Sequence, residues 1–425
     1  MKLLKVEIKK RIESIKSGKI PNDLKYSKAG MIPINWSIKK LNEISMSKGT
    51  YGATDAAVEY SDNLPTYLRI TDIDDEGRLI KDSLKSVDIP DYKNYLLKEG
   101  DLIFARTGST TGKSYLYDEK DGQLVYGGFL IKFSLNAEKV NCRYVKYCTE
   151  TNHYKYWVSL MSARSGQPGI NSQEYGKLEI PIPPKGEQNK IANILSTWDK
   201  AIELKEKLIH QKKNQKKALM KKLLIGEVRM PGFNGQVSYK KLKGYIKECN
   251  VRNKDCKETV VLSVTNKQGF ILQEEQFDRK VASKDLSNYK IVYKNQFAYN
   301  PSRINVGSID LLKRFEKGLL SPMYVVFECE EGLSPKYLYQ YLKSDMFLNY
   351  LPNLLQGSVR DTLSFNSLEM IKIFIPTLEE QNKIVEVLEN ADKEISLLEE
   401  ELKNLKLQKK GLVQLLMTGI VRVKS

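Results

Sequence analysis

Histidine is almost missing: the 425 residues hold two, His153 and His210. Imidazole is the side chain that titrates near neutral pH and the commonest metal ligand. Its scarcity argues against His-based acid–base chemistry, His-activated nucleophiles and multi-histidine metal sites. Cysteine is sparse too. Cys142, Cys148, Cys249, Cys256 and Cys329 make an odd number, and no two sit at the Cys-x-x-Cys spacing of a zinc site. They read as reduced, mostly buried thiols of a reducing compartment. No apolar run reaches the roughly 18 residues of a membrane span. Met1–Lys16 is too charged for the core of a signal peptide. The expected location is the cytoplasm. Acidic residues fall short of basic ones, 52 against 69, which leaves a formal charge of +17. That surplus suits a polyanionic partner, DNA, RNA or an acidic membrane face; a generally basic proteome would give the same number. Hydrophobic residues, at 41%, suffice for packed cores. At roughly 150 residues per domain, the length allows two or three domains.

What the chain does contain is a copy of itself. Ile180–Arg229 aligns without a gap to Ile373–Arg422, and close to half of the aligned positions are identical. Glu187-Gln188-Asn189-Lys190-Ile191 recurs as Glu380-Gln381-Asn382-Lys383-Ile384. Asp199-Lys200 recurs as Asp392-Lys393, Gln215-Lys216-Lys217 as Gln408-Lys409-Lys410, and Gly226 and Arg229 as Gly419 and Arg422. The period is far too long for a solenoid and marks a duplicated module. A third, partial copy, Lys9–Ile20, ends in Ser17-Gly18-Lys19-Ile20 and resembles Ile225–Val228. The chain therefore begins part-way through a repeat, as a pseudo-two-fold arrangement closed on itself requires.

Both copies read as long helices. Ile384, Leu388, Ala391, Ile395, Leu398, Leu402, Leu405, Lys409, Leu412 and Leu416 alternate spacings of four and three, a sustained heptad seam. The first copy places Ile191, Leu195, Trp198, Ile202, Lys205, Ile209, Lys212, Lys216, Leu219 and Leu223 in the same columns, with a polar middle. Thr377-x-x-Glu380 reads as a capping box, and Gly226 and Gly419 stand where helices end. About 36 residues give each helix a length of roughly 54 Å. Charge bears on their pairing. Lys205, Lys207, Lys212, Lys213, Lys216, Lys217, Lys221 and Lys222 crowd the later part of the first helix. Glu386, Glu389, Glu394, Glu399, Glu400 and Glu401 crowd the early part of the second. An antiparallel coiled coil sets these opposite each other; the alternative is two solvated faces that pack elsewhere.

Between the helices lie two mixed α/β (α+β) modules. The expected divisions are 1–30, the N-terminal piece of the repeat; 31–184, a first recognition module; 185–229, the first helix; 230–377, a second module; and 378–425, the second helix. Short β-like runs include Tyr67–Ile70, Asp101–Ala105 and Gly128–Phe133 in the first module. Thr259–Val264, Gln296–Tyr299 and Met323–Phe327 are their counterparts in the second. Helical stretches follow at Arg143–Glu150 and Pro335–Asp345. Each module returns to its helix through an extended run, Ile180–Pro183 or Ile373–Pro376. Beyond these edges the modules share little sequence, as two binding heads with different targets on one frame would.

The motifs that look chemical are near misses. Gly108-Ser-Thr-Thr-Gly-Lys-Ser114 resembles a P-loop but has Thr107 where glycine belongs, and Tyr115–Tyr117 after it reads as strand, not helix. It reads either as a turn whose amides and Lys113 touch a DNA phosphate or as an ordinary Gly-rich hairpin. Asn300-Pro301-Ser302-Arg303 resembles the Asn-Pro-Pro-aromatic loop of adenine methyltransferases. It lacks the second proline and the aromatic, and no glycine-rich cofactor loop precedes it. No nuclease-type carboxylate–lysine cluster stands out. Several loops instead mix Arg or Lys with Ser, Thr, Asn and Gln, the side chains that read guanine, adenine and phosphate. The candidate DNA-contacting residues are Arg69, Arg106, Thr107, Ser109, Thr110, Lys113, Arg164 and Gln167 in the first module. In the second they are Asn266, Lys267, Asn300, Ser302, Arg303, Ser358 and Arg360. The same loops also read as ordinary solvated turns, and most of the 24 tyrosines as core.

Two unlike modules alternating with two near-identical helices resemble the specificity subunits of type I restriction–modification systems. Ile180-Pro-Ile-Pro-Pro-Lys-Gly-Glu-Gln-Asn-Lys-Ile191 is similar to that family's entry into the helix. Gly100-Asp-Leu-Ile-Phe-Ala-Arg-Thr-Gly108 is similar to its mid-domain motif, and Ile170-Asn-Ser172 fits before the return strand. The second module departs from the pattern, with Tyr293-Lys-Asn-Gln-Phe-Ala-Tyr299 where Gly-Asp-Leu-Ile-Phe is expected. The resemblance implies a non-catalytic chain whose two heads each read half of a split DNA site, with the coiled coil as spacer. It implies two methyltransferase subunits and motor–nuclease subunits as partners. S-adenosylmethionine, ATP and Mg²⁺ would belong to those partners and no cofactor to this chain. Two alternatives remain: the specificity module of a stand-alone or type II-like methylation complex, and a coiled-coil scaffold with two protein-binding heads.

Overall fold

The helices are longer than the heptad count predicts. In the computed structural model they run Lys185–Leu224 and Leu378–Met417, 40 residues each, or about 60 Å at 1.5 Å per residue. The model describes residues 2–163, 167–266, 268–276, 285–354 and 362–423, the side chains of 2–7 and 16 excepted. Each helix starts ahead of its first seam residue, so the repeated Glu-Gln pair falls inside its first turn. No helix among the described residues is long and apolar enough to cross a membrane.

The chain divides into two compact units, Met1–Lys205 with Glu401–Ser425, and Glu206–Glu400. Each unit holds one half of each helix, and in each the halves run antiparallel. In the first unit the ion pairs are Asp199–Lys409 at 2.6 Å and Lys205–Glu401 at 2.7 Å, so one number rises as the other falls. In the second they are Lys212–Glu394, Lys213–Glu399 and Lys216–Asp392, each at 2.6 Å. The lysine-rich stretch of one helix thus meets the glutamate-rich stretch of the other, the pairing that charge favours. The seam faces inward: Ile191, Leu195, Ile202, Ile384, Leu388 and Ile395 are buried, and Trp198, Leu398, Leu402 and Leu405 half-buried. Burying one such side chain is worth about 1.5–3 kcal/mol.

The repeated charges explain themselves in this arrangement. Asp199 and Lys216 recur as Asp392 and Lys409, and Asp199 pairs with Lys409 while Lys216 pairs with Asp392. Lys409 sits in a seam column and is buried. Burial opposes its charge, but Glu150 and Asp199 outweigh that and hold its pKa above the ordinary lysine value.

The helix entries carry a second reciprocal contact. Glu187 is buried and accepts Arg422 Nε at 2.8 Å, Arg422 Nη2 at 2.9 Å and Trp36 Nε1 at 3.1 Å. Glu380, fully buried, accepts Arg229 Nε at 2.9 Å, Arg229 Nη2 at 2.7 Å and the Met230 amide at 3.2 Å. Each arginine follows the glycine that ends a helix. Gly226 and Gly419, with φ of 72° and 65°, take the left-handed turn that brings it back. Gly18, with φ of 80°, turns the same way after the helix Lys2–Lys16, as the partial third copy predicts. The Glu–Arg pair also corrects the expected capping box. Thr377 Oγ1 does accept the Glu380 amide, at 3.4 Å, but the Glu380 carboxylate turns to Arg229 rather than back to the cap.

Beside each glutamate a buried glutamine holds the head. Gln188 accepts the Asn141 amide at 2.8 Å and donates to the Pro183 carbonyl at 2.9 Å. Gln381 accepts the Ser334 amide at 2.7 Å and donates to the carbonyls of Gly332 and Pro376, both at 2.8 Å. Asn141 and Ser334 begin the helices Cys142–Cys148 and Pro335–Leu342. The return strands are as expected: Glu179–Ile182 pairs with Ser37–Lys40, and Lys372–Phe374 with Tyr239–Lys241.

Each head centres on a four-stranded antiparallel sheet. In the first unit the order is Thr50–Tyr51, Leu130–Ser134, Asp101–Ala105, Ser114–Leu116. In the second it is Ile246–Glu248, Val325–Cys329, Phe297–Tyr299, Ile309–Leu311. Phe104, Phe133, Tyr144 and Tyr175 pack with Ile191, Leu195 and Leu416 in one core. Phe297, Phe327, Tyr337 and Phe347 pack with Leu223, Ile384 and Leu388 in the other. Three expectations shift. The run Tyr67–Ile70 is strand only over Thr66–Leu68, because Ile70–Asp72 coils into a short helix closed by Asp72 on Arg69. The helix expected over Pro335–Asp345 ends at Leu342 with Lys343 as its cap, and a second helix starts at Asp345, where Ser344 accepts the Phe347 amide. The cysteines are unpaired, but of the five only Cys148 is buried, and Cys256 is exposed.

Two outcomes test this frame. Glu187→Ala strands Arg422 and Trp36, and should cost roughly 3 kcal/mol in chemical denaturation. In double-mutant cycles Glu187 should couple to Arg422 and not to Arg229, whereas a pairing within one repeat would give the reverse. Lys409→Ala leaves Asp199 and Glu150 facing each other across a cavity, and should destabilise more than Lys213→Ala, whose ion pair is exposed on both sides.

Candidate nucleic-acid interface

The two heads share little sequence yet place their central strands alike. In the first, Gly100 takes φ of 86° and the Asp101 carboxylate accepts the Lys98 amide at 2.9 Å. In the second, Asn295 takes φ of 66° and the Gln296 side chain accepts the Tyr293 amide at 2.9 Å. Asparagine is among the few residues that tolerate the left-handed region, and glutamine offers the same acceptor as aspartate. Asn-Gln-Phe-Ala-Tyr thus does the work of Gly-Asp-Leu-Ile-Phe. The departure noted in the sequence is a chemical synonym.

The correspondence puts the candidate loops at one place in each head, just past the central strand. In the first, Thr107–Thr111 links Asp101–Ala105 to Ser114–Leu116 as a hairpin with one turn of 3₁₀ helix, Gly108–Thr110. A strand follows, not the helix that a P-loop requires. Lys113 Nζ is taken up by the Asp75 carboxylate at 2.7 Å and the Ile73 carbonyl at 3.2 Å. Arg69 is taken up as well, its Nε and Nη2 on Asp72 and Nη2 also on the Ser83 carbonyl. Arg106 is placed differently. Its amide donates to Phe129 O at 3.1 Å, its carbonyl accepts Ile170 N at 2.9 Å, and its guanidinium lies 4.8 Å above the Tyr51 ring. The hydroxyl of Tyr51 accepts the Ser172 amide at 3.1 Å. Burial would raise the pKa of Tyr51, but Ser172 and Arg106 bring it below its ordinary value.

Gln167 joins this loop. The Gly108 amide donates to Pro168 O at 2.9 Å, and a Cβ on Gly108 would lie 3.3 Å from Gln167 Nε2. Ser109 and Gln167 are exposed, Thr107 and Thr110 half-buried. Thr110 donates to the Thr107 carbonyl at 3.2 Å. In the second head Asn300, Ser302 and Arg303 occupy the 3₁₀ turn Pro301–Val306 and its cap. Asn300 Oδ1 accepts the Ser302 amide at 3.0 Å, and Ser302 and Arg303 are exposed. Exposed Asn266 is a neighbour: a Cβ on Gly307 would lie 3.9 Å from its own Cβ. Arg164, Lys267, Ser358 and Arg360 lie outside the described residues.

The sequence reading missed an apolar element beside each loop. Phe129 is 62% exposed and Met323 63%. Each comes shortly before the strand that pairs with the central one. Gly127-Gly128 ahead of Phe129 was a usable signal, since a Cβ on either would meet Tyr67 Oη or Ala53 O at 3.1 Å. Nothing comparable marks Met323. Among the described residues no group of three or more His, Cys, Asp and Glu side chains is arranged to hold a metal ion.

Comparison with known proteins follows the duplicated frame. The family model of the type I restriction modification DNA specificity domain matches twice, over residues 14–214 and 211–407. Over 95% of its length the chain is 24% identical to a protein of Methanocaldococcus jannaschii described as the MjaX type I restriction enzyme specificity subunit, covering 97% of it. It is also 24% identical to the MjaVIII specificity subunit of the same organism, over 78% of this chain and 82% of that one. Among solved structures, a chain from a study of complex assembly in the type I R-M system superposes with a TM-score of 0.55 at 14% identity, over 92% of this chain and 99% of that one. The S subunit of the M. genitalium type I system gives 0.52 at 15%, over 94% and 97%. The chain belongs to the type I restriction–modification DNA specificity family, as a specificity subunit and not a catalytic one.

Proposed function

We propose that each head reads one half of a bipartite DNA site and that the antiparallel coiled coil sets the gap between the halves. In the same proposal the chain docks two methyltransferase subunits, with motor–nuclease subunits added for cleavage. S-adenosylmethionine, ATP and Mg²⁺ chemistry would then reside in those partners. The observation that carries the reading is the contrast between frame and loops. The frame repeats its buried ions residue for residue, while corresponding loops carry different polar sets, Arg106, Thr107 and Gln167 in one head and Asn300, Ser302 and Arg303 in the other. Base edges are read by such sets, and a change of set changes the bases read. The +17 charge supplies sequence-independent attraction to phosphate.

The binding test is the salt dependence of affinity for duplex DNA, measured on the chain with its methyltransferase subunits. Contact with several phosphates gives a log–log slope near −0.9 per phosphate neutralised. A flat dependence with no bipartite preference would favour the protein-binding scaffold. Deleting one heptad from each long helix should shorten the spacer by roughly 10 Å and narrow the gap while both half-sites survive. An unchanged gap refutes the spacer role. Replacing residues 230–377 with another head should change one half-site only; a change in both refutes independent heads.

A further inference from the structure

We infer that Arg106, held against Tyr51, recognises a guanine in the half-site met by the first head, an assignment that rests on the proposed DNA reading. Three observations converge on this side chain. The first is its freedom from internal charge. Arg69 and Lys113, the other candidate cations of this head within the described residues, are committed to Asp72 and Asp75. Arg106 has no carboxylate within ion-pair distance among the described residues. The guanidinium carbon lies over the Tyr51 ring, 4.8 Å from its centroid. A contact with a ring takes up no carboxylate or carbonyl acceptor, and the guanidinium carries five N–H donors.

The second observation is preorganisation. The Arg106 backbone is fixed on both sides, to Phe129 and to Ile170. The ring beneath it is fixed by the Ser172 amide. An arginine in free solution samples many rotamers; one held over an anchored ring has lost much of that freedom before it meets a ligand. Two coplanar N–H donors with little left to order match the adjacent O6 and N7 acceptors of guanine in the major groove.

The third is the neighbour. Phe129 stands 62% exposed, and its carbonyl accepts the Arg106 amide. The backbone before it is closely packed, since a Cβ on Gly127 or Gly128 would press on Tyr67 Oη or Ala53 O at 3.1 Å. An exposed aromatic whose backbone is hydrogen-bonded to that of the arginine suits a surface that is covered when a ligand binds, and a base-pair edge offers apolar contact, as with the thymine methyl, next to a guanine. The second head keeps the apolar residue, Met323, but has Pro301 at the position of Arg106, and its arginine, Arg303, lies two residues further on in the 3₁₀ turn. Its Asn300 spends Oδ1 on its own turn and Nδ2 on Met323 Sδ, at 3.6 Å. The contact assigned to Arg106 therefore has no positional equivalent in the second head.

The test expresses the full chain with its methyltransferase subunits in a methylation-deficient host and sequences the methylated genome, scoring base preference at every position of the site. A bidentate arginine–guanine contact corresponds to a preference on the order of 10- to 100-fold. In Arg106→Ala that preference should fall to near parity at one guanine of one half-site, with the other half-site intact. Arg106→Lys keeps the charge and loses the fork, so overall binding and its salt slope should persist while the guanine preference collapses. Tyr51→Leu, which removes the ring but leaves the arginine, should give an intermediate preference. If Arg106→Ala melts early, Arg106→Met, which keeps the apolar stem, and Arg106→Lys decide instead. The assignment is overturned if no position changes, if both half-sites flatten together, or if the affected base is not guanine. A wild-type complex with no bipartite preference overturns the DNA reading and this assignment with it; an intact wild-type preference that ignores Arg106 overturns this assignment alone.

Discussion

Two buried carboxylates, Glu187 and Glu380, organise the molecule. A carboxylate removed from water is costly unless a charge and several donors meet it. Each is met by an arginine from beyond the end of the other long helix. A helix entry can be satisfied only when the opposite exit has turned back to it, so the two helices must run antiparallel and must end where they do. The glycines Gly226 and Gly419 follow from this, since the turn that returns the arginine needs the left-handed conformation. So does the repeat itself: a residue whose partner lies in the other copy constrains both copies at once.

Away from these contacts the constraint weakens by degrees. The seam asks for apolar volume and accepts Trp198 in one copy against Ala391 in the other. The mid-helix lysine–glutamate pairs are partly exposed, and Lys205 and Lys212 have leucine, Leu398 and Leu405, at the matching positions of the other copy. In the heads only geometry survives. Gly100-Asp101 and Asn295-Gln296 build the same bend from different residues. The loops past that bend share no aligned residue, as groups that face outward toward a variable ligand are free to do.

The long helices, their seam, their antiparallel sense and their glycine ends were legible because helical period and charge are written in consecutive residues. The strands Asp101–Ala105 and Phe297–Tyr299 were legible because each is a short apolar run between turn residues. What stayed hidden was non-local. The Glu380 carboxylate looked like a capping group because Thr377 is near in sequence, while Arg229 is near only in space. Arg69 and Lys113 looked available because Asp72 and Asp75 carry no sequence mark as partners. Arg106 looked like its neighbours, and only the position of Tyr51, far away in sequence, sets it apart. Phe129 and Met323 read only as members of β-like runs, because hydrophobicity says what a side chain tolerates and not which way the backbone turns it.

The buried glutamines beside the carboxylates carry a different consequence. Gln188 and Gln381 grip their heads through peptide groups: an amide at the start of a helix and carbonyls of the chain. None of these atoms changes when a side chain changes. The socket is therefore indifferent to what is plugged into it, and asks only that a helix begin at that point and a strand end there. Asn141 serves in one head and Ser334 in the other for that reason. A lineage bearing such sockets can acquire a new target by exchanging whole heads, with no compensating change in the frame, and its recognition can drift much faster than its architecture.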